Sequence, residues 1–130
     1  MSTIFSRIIA GEIPCYKVAE TEEYLAFLDI RPSAKGHTLC IPKRETDYIF
    51  DIPDQELAGL MLFAKKVARA IEQVVPCKRI GVAVIGLEVP HAHVHLVPLN
   101  QLSDLTFGRE PFPMTPDEFR ELAAQIAARL

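Results

Sequence analysis

Three of the four histidines in this chain stand at positions 91, 93 and 95, in the run His91-Ala-His93-Val-His95. On an extended strand alternate side chains share a face. The three imidazoles are therefore predicted to project together, while Ala92, Val94 and Leu96 turn the other way into a core. A lone histidine is commonly a satisfied structural residue, but three at period two are not readily explained by packing. Two chemistries use clustered imidazoles. The first is a metal site. Same-face neighbours on a strand lie about 6.5–7 Å apart at Cα, whereas zinc takes its nitrogens at about 2.0–2.1 Å. Two histidines at i and i+2 can meet that demand and three on a straight strand strain it; His37 or Glu88 could supply a further ligand. The second is covalent phosphoryl or nucleotidyl transfer. One neutral imidazole nitrogen attacks phosphorus and a neighbouring histidine donates a proton or binds a phosphate oxygen. A backbone carbonyl or another histidine holds the nucleophile in the right tautomer. Imidazoles with a pKa of about 6.5 can share protons at neutral pH. Protonated histidine and backbone N–H groups can then neutralise phosphate charge, so no metal and no cofactor is expected on this reading.

The elements that must position these rings follow from periodicity and turn chemistry. Thr3 to Ala10 carries Phe5, Ile8 and Ile9 at helical spacing, with Gly11 as a stop. Tyr16 to Ala19 and Tyr24 to Ile30 read as two strands joined by the polar turn Glu20-Thr21-Glu22-Glu23. Arg31 to Gly36 has turn chemistry, and His37 to Ile41 resumes as a strand that Pro42 ends. Leu57, Leu60, Met61, Ala64, Val67, Ala68, Ile71 and Val75 recur at three- and four-residue steps, which predicts roughly 20 residues of helix across a sheet. Leu62 and Phe63 sit off that stripe and suggest a second buried surface, hence a homodimer. Arg79 to Ile85 and His91 to Leu99 read as strands. Residues 100–114 read as an irregular, mobile connection that in a dimer would reach the partner's pocket. Thr115-Pro116-Asp117-Glu118 is a capping box opening a final helix, with Phe119, Leu122, Ala123, Ile126 and Leu130 as its buried face. The expected fold is an α+β domain spanning 1–130, an antiparallel meander with a long helix and terminal helices packed on one side of the sheet. The chemistry is expected on loops and strand ends of the other face.

Composition narrows the classes. The chain has 130 residues, 49% hydrophobic and 24% charged, with a net charge of -3, which suits a globular domain and offers no positive field for a nucleic acid. No apolar run approaches the roughly 18 residues of a membrane span, and the first residues do not read as a signal peptide. Cys15, Cys40 and Cys77 include no CxxC pair and read as free thiols of a reducing cytoplasm.

Residues 91–97, HAHVHLV, match the alternation of histidine and apolar residues that marks the histidine triad family, and the chain resembles that family from residue 4 to about 99. IFSRIIAGEIPCYKVAE and YLAFLDIRPSAKGHTLCIPKR look like its Hint branch. The resemblance implies a nucleotidyl-histidine intermediate on His93. It implies that His95 contacts phosphate and assists the leaving group, that His91 supports the polar network, and that His37 lies beside the nucleophile. Asp29 would grip the ribose hydroxyls, since a carboxylate can accept from both. Phe5, Ile8 and Ile13 would wall the base, with Phe27, Leu28 and Ile30 nearby. Each has a plainer alternative: Phe5, Ile8 and Ile13 as core, Asp29 as a turn former, His37 as a buried structural residue. The implied substrate is a purine nucleotide such as an AMP derivative. The chain departs from the branch at Val84 to Pro90, where relatives carry an Asn and a Gly-Gln-Ser/Thr stretch. Glu88 there would repel phosphate or meet a cationic leaving group. Three functions follow: a hydrolase or transferase acting at an α-phosphate; a nucleotide-binding module with little turnover, favoured by the Glu88 segment; and a zinc-dependent hydrolase using the histidine row.

Overall fold

A computed structural model describes residues 2–108 and 110–130. Helix α1 (Ile4–Ile9) is followed by β1 (Lys17–Glu20), β2 (Tyr24–Leu28) and β3 (Thr38–Pro42), then the long α2 (Asp54–Val74), β4 (Arg79–Ala83), β5 (Val94–Leu99) and α3 (Pro116–Ala127). The strands form one antiparallel sheet in the order β1-β2-β3-β5-β4. The expected meander holds for β1 to β3. After α2 the chain enters at the sheet edge as β4 and doubles back, so that β5, with the histidines at its head, sits between β3 and β4.

The two faces of the sheet are both covered, which corrects the expectation of helices on one side. Tyr24, Ala26 and Leu28 of β2, Cys40 of β3, and Val94 and Leu96 of β5 pack under α2 and α3, against residues such as Leu60, Phe63, Val67, Phe119 and Ile126. Leu25 and Phe27 of β2 and Leu39 and Ile41 of β3 pack on the opposite face with Phe5, Ile8 and Ile9 of α1. A strand covered on both faces reads as a continuous apolar run, which is why β2 is YLAFL with every residue buried. Helix α1 is short and belongs to the second face because its N-cap, Thr3, is tied there. The Thr3 hydroxyl accepts from the Ser6 N–H at 3.0 Å in a reciprocal capping box.

Several boundaries and burials differ from the periodicity. The strands stop earlier, at Leu28 and Ala83, and β5 begins at Val94 rather than at His91. Phe63 is buried against Tyr24 in this chain's own core, not on a spare surface, and Met61 is exposed. Leu130 lies beyond the end of α3 and is exposed. The Thr115 capping box forms as expected, with the Glu118 N–H donating to Thr115 Oγ1 at 3.2 Å. Among the described residues no helix is long and apolar enough to cross a membrane.

Candidate active site

Residues 91–93 lie just ahead of the β5 ladder, and their backbone bonds are made locally instead. The His91 N–H donates to the Val89 carbonyl at 2.8 Å and the Ala92 N–H to the Thr46 carbonyl at 2.7 Å. The His91 carbonyl is thereby left to accept from His93 Nδ1 at 2.7 Å. A carbonyl can only accept, so Nδ1 of His93 carries the proton, and in the neutral ring Nε2 carries the lone pair. The same logic fixes His91. Its Nε2 donates to the Pro42 carbonyl at 2.8 Å, and its Nδ1 faces Thr3 Oγ1 at 3.4 Å. The Phe5 ring stands edge-on to His93 at 5.0 Å and to His91 at 5.8 Å. The N-terminus of α1 is thus fastened to the head of β5.

His37 and His95 form a second unit. Gly36, at φ +95°, takes a left-handed conformation, and a Cβ there would stand 3.0 Å from Pro98 Cγ. Only glycine makes the tight turn that delivers His37 to the start of β3. The Ser33 N–H donates to His37 Nδ1 at 2.9 Å, and His37 Nε2 lies 2.9 Å from His95 Nδ1. A backbone N–H can only donate, so His37 Nδ1 is the bare nitrogen and its Nε2–H points to His95. His95 Nδ1 is then an acceptor, and its Nε2–H is free to donate elsewhere. Register places His95 opposite Leu39 and Ala83, on the α1 face, with its ring 4.8 Å from that of His93. His37 was expected beside the nucleophile; the structure seats it against His95.

Burial pushes His37 down to about 4, with His93 acting in the same sense, and pushes His95 down to about 3, reinforced by His37 and His93. Burial also lowers His91, against the opposing effects of the Pro42 carbonyl and Glu45. His37 and His95 are therefore neutral hydrogen-bonding rings at neutral pH. Neither of these two rings meets phosphate as an imidazolium at that pH. Asp29, at the end of β2, donates its N–H to the His37 carbonyl at 3.0 Å. Its carboxylate accepts from the Arg31 N–H at 2.9 Å and lies 3.5 Å from His37 Nε2. Burial raises its pKa, against the lowering effect of the Arg31 bond.

Carboxylate, His37 and His95 atoms fall within 4.8 Å of one another, a spacing that could suit a cation. The hydrogen bonds argue against it. A metal on His37 Nε2 would shift the ring proton to Nδ1, directly against the Ser33 N–H. Nor do the three histidines of the row converge on one point: His91 and His93 are engaged with carbonyls and His95 with His37.

The expected apolar wall is brought together in part. Phe5, Ile8 and Phe27 pack in one cluster, and Ile13 is half-buried. Leu28 points to the opposite face, into the core under α2 and α3, and Ile30 is 67% exposed. Glu88 is exposed in the segment between β4 and β5. Sequence reasoning missed Thr3, Ser33, Pro42 and Thr46, most of which act through backbone groups and so leave no residue-type signal. It also missed Phe107, whose ring packs edge-on to His95 at 4.7 Å. Phe107 belongs to the segment expected to be an irregular connection, and its ring packs on this chain's own His95 and His37.

The HIT domain family model matches residues 10–102. Over 133 residues the chain is 37% identical to the adenosine 5'-monophosphoramidase hnt1 of Schizosaccharomyces pombe, covering 100% of this chain and 99% of that protein. It is 36% identical to the adenosine 5'-monophosphoramidase HNT1 of Saccharomyces cerevisiae, covering 98% of this chain and 82% of that protein. Among solved structures it is similar to a Hit-like protein involved in cell-cycle regulation from Bartonella henselae, at 29% identity and a TM-score of 0.85, covering 99% of this chain and 96% of that one. The architecture, the HAHVHLV run and these matches lead to one statement: the chain belongs to the histidine triad, or HIT, family.

Proposed function

We propose that the chain is a phosphoramidase-like hydrolase that releases a nucleoside monophosphate from an AMP derivative through a nucleotidyl intermediate on His93. The observation that carries this reading is the bond from His93 Nδ1 to the His91 carbonyl at 2.7 Å, which turns the Nε2 lone pair outward beside the free Nε2–H of His95. His93 Nε2 bonds to the α-phosphorus as the bond from phosphorus to the leaving nitrogen breaks, the nitrogen taking a proton from solvent and departing as the neutral amine; the proton is returned to solvent by the water that attacks in the second step. Water then attacks phosphorus and frees His93. Over the cycle one water supplies OH to phosphorus and H to the amine. His95 donates a hydrogen bond to a phosphoryl oxygen and stays neutral, since losing its proton would leave an imidazolate. Asp29 takes the ribose hydroxyls, and Phe5, Ile8, Ile13 and Phe27 take the base, most simply adenine given the named activity of the two yeast relatives. Leu28 is not part of this wall, and Ile30 contributes only if substrate covers it.

The chain acts as a homodimer in this reading. Edge strand β4 exposes Val82, and α2 exposes Met61 and Leu62. Leu62 shares the helix face of Lys65 and Arg69, which line the groove against Arg79 and Ile80. A second copy covers this apolar strip and the open edge together. The unpaired cysteines Cys15, Cys40 and Cys77 suit a cytoplasmic setting.

The test is AMP release from adenosine 5'-phosphoramidate, in chelator, by wild type and His93→Ala. Turnover in the wild type and a loss of about 10⁴-fold or more in the variant, with AMP binding retained, is expected. Wild-type binding of AMP without release, from this substrate or a dinucleoside polyphosphate, makes the chain a binding module instead. Activity abolished by chelator and restored by zinc would support the metal-dependent alternative.

A further inference from the structure

Residues 102–108 bring Phe107 onto the histidine face as a strap, and the anchors of the strap, with one at Phe112 beyond it, are specific. The Ser33 hydroxyl donates to the Thr106 carbonyl at 3.1 Å, the Thr106 hydroxyl to the Ser103 carbonyl at 2.7 Å, and the Phe112 N–H to the Pro32 carbonyl at 2.7 Å. These bonds set Phe107 edge-on to His95 at 4.7 Å and to His37 at 5.9 Å. Ser33 is the common point. Its N–H holds the tautomer of His37, and its hydroxyl holds the strap that covers the partner ring.

We propose that Phe107 is a positioning residue: carried on a strap that Ser33 clasps, it holds the His95 ring in line with His37 and shuts water away from the pair. Two rings joined by a single nitrogen-to-nitrogen bond can still swing about it. An aromatic edge touching both removes that freedom. Burial is the largest cause of the lowered His95 pKa, and on this proposal part of that burial comes from the Phe107 ring packed on it. The titratable groups facing the pair are His93, whose ring lies 4.8 Å from that of His95, and Asp29, whose carboxylate lies 3.5 Å from His37 and is engaged by the Arg31 N–H. The strap contributes an apolar ring to that set.

The experiment is a nitrogen-15 NMR titration of the imidazoles in the full chain, for wild type, Phe107→Ala, Phe107→Leu and Ser33→Ala. Wild type should keep His95 neutral, with Nδ1 bare and Nε2 protonated, through pH of about 5. Phe107→Ala should raise the pH at which His95 titrates by roughly one unit or more and blur its tautomer, and Phe107→Leu should restore both. Ser33→Ala keeps the N–H to His37 but loses the clasp, and should shift His95 in the same direction. In phosphoramidate turnover the acid limb of kcat should move up with His95 while KM changes little. Unchanged His95 titration in both Phe107→Ala and Ser33→Ala overturns the proposal, as does a kcat loss in Phe107→Ala with no shift in that titration. The kinetic arm rests on the hydrolase reading and the ring titration does not: a wild type without turnover refutes the former and leaves the latter decisive. Phe107 is 38% exposed, and Phe107→Leu and Ser33→Ala still decide the matter if the alanine variant fails to fold.

Discussion

The Ser33 N–H and His37 Nδ1 lie 2.9 Å apart, and that one contact dictates the protonation of the His37–His95 pair beside His93. Because the donor is a backbone amide, His37 must present its proton at Nε2, and His95 must receive it at Nδ1. A ring at position 37 with a bare Nε2 would carry its proton on Nδ1 and set it against the Ser33 N–H, donor against donor.

Replacing His37 tests this directly. His37→Asn can still reach toward His95 but no longer fills the ring's place between the Ser33 N–H and His95 Nδ1. We expect kcat to fall by about 10²-fold with little change in KM, the scale of losing one oriented hydrogen-bonding group. His37→Ala should cost more, because it leaves His95 Nδ1 without its donor. Steady-state kinetics of the two variants, with AMP affinity measured alongside, separates loss of orientation from loss of binding.

Stability should depend on pH in a defined window. His37 and His95 stay neutral in the fold until about 4 and about 3, whereas in the unfolded chain each titrates at about 6.5. The unfolded state therefore binds more protons below pH of about 6.5, and stability falls as pH drops from there toward 4. Each ring contributes about 1.4 kcal/mol per pH unit within that window. Asp29, whose pKa is raised, takes up its proton first in the folded state and opposes the trend at the acid end. Urea unfolding at a series of pH values should show this decline, and His37→Gln should reduce its slope by about one proton.

Glu88 is exposed, and a carboxylate repelling phosphate through water does so by about 1 kcal/mol at contact range. Glu88→Gln should raise kcat/KM for a dinucleoside polyphosphate by about two- to fivefold relative to a phosphoramidate, whose leaving amine bears no negative charge, and added salt should erase the difference. An unchanged ratio would mean that the segment before the histidines does not meet the leaving group.

Covering Val82 and Leu62 with a second copy predicts association. The wild type should sediment at twice the mass of one chain at micromolar concentration. Leu62→Glu with Val82→Lys places charge on the exposed apolar strip and should shift it to monomer without unfolding it, since these side chains are 62% and 52% exposed. A wild type that sediments as a monomer would remove the dimer from the proposed function.

The sequence by itself determined the parts that follow from local periodicity and residue type. The period-two histidines, the apolar stripe of α2, the Thr115 cap and the five strand segments were all legible, because each repeats or punctuates over a few residues. The HAHVHLV run likewise carried the family. Which face each element covers was not legible. Helix α1 joined the histidine face and Leu28 left it, because pairing register and the Thr3 cap, rather than composition, decide sidedness. Only the tertiary structure decided the tautomers, because they hang on carbonyls and amides of Pro42, His91 and Ser33, groups that every residue carries and no sequence pattern marks. It also decided that Phe107 packs on His95, since a long-range aromatic contact from an irregular segment has no period to betray it. All four imidazoles are buried, and what sets them apart is the partner each ring meets, a backbone carbonyl for His91 and His93 and each other for His37 and His95, which no residue type records.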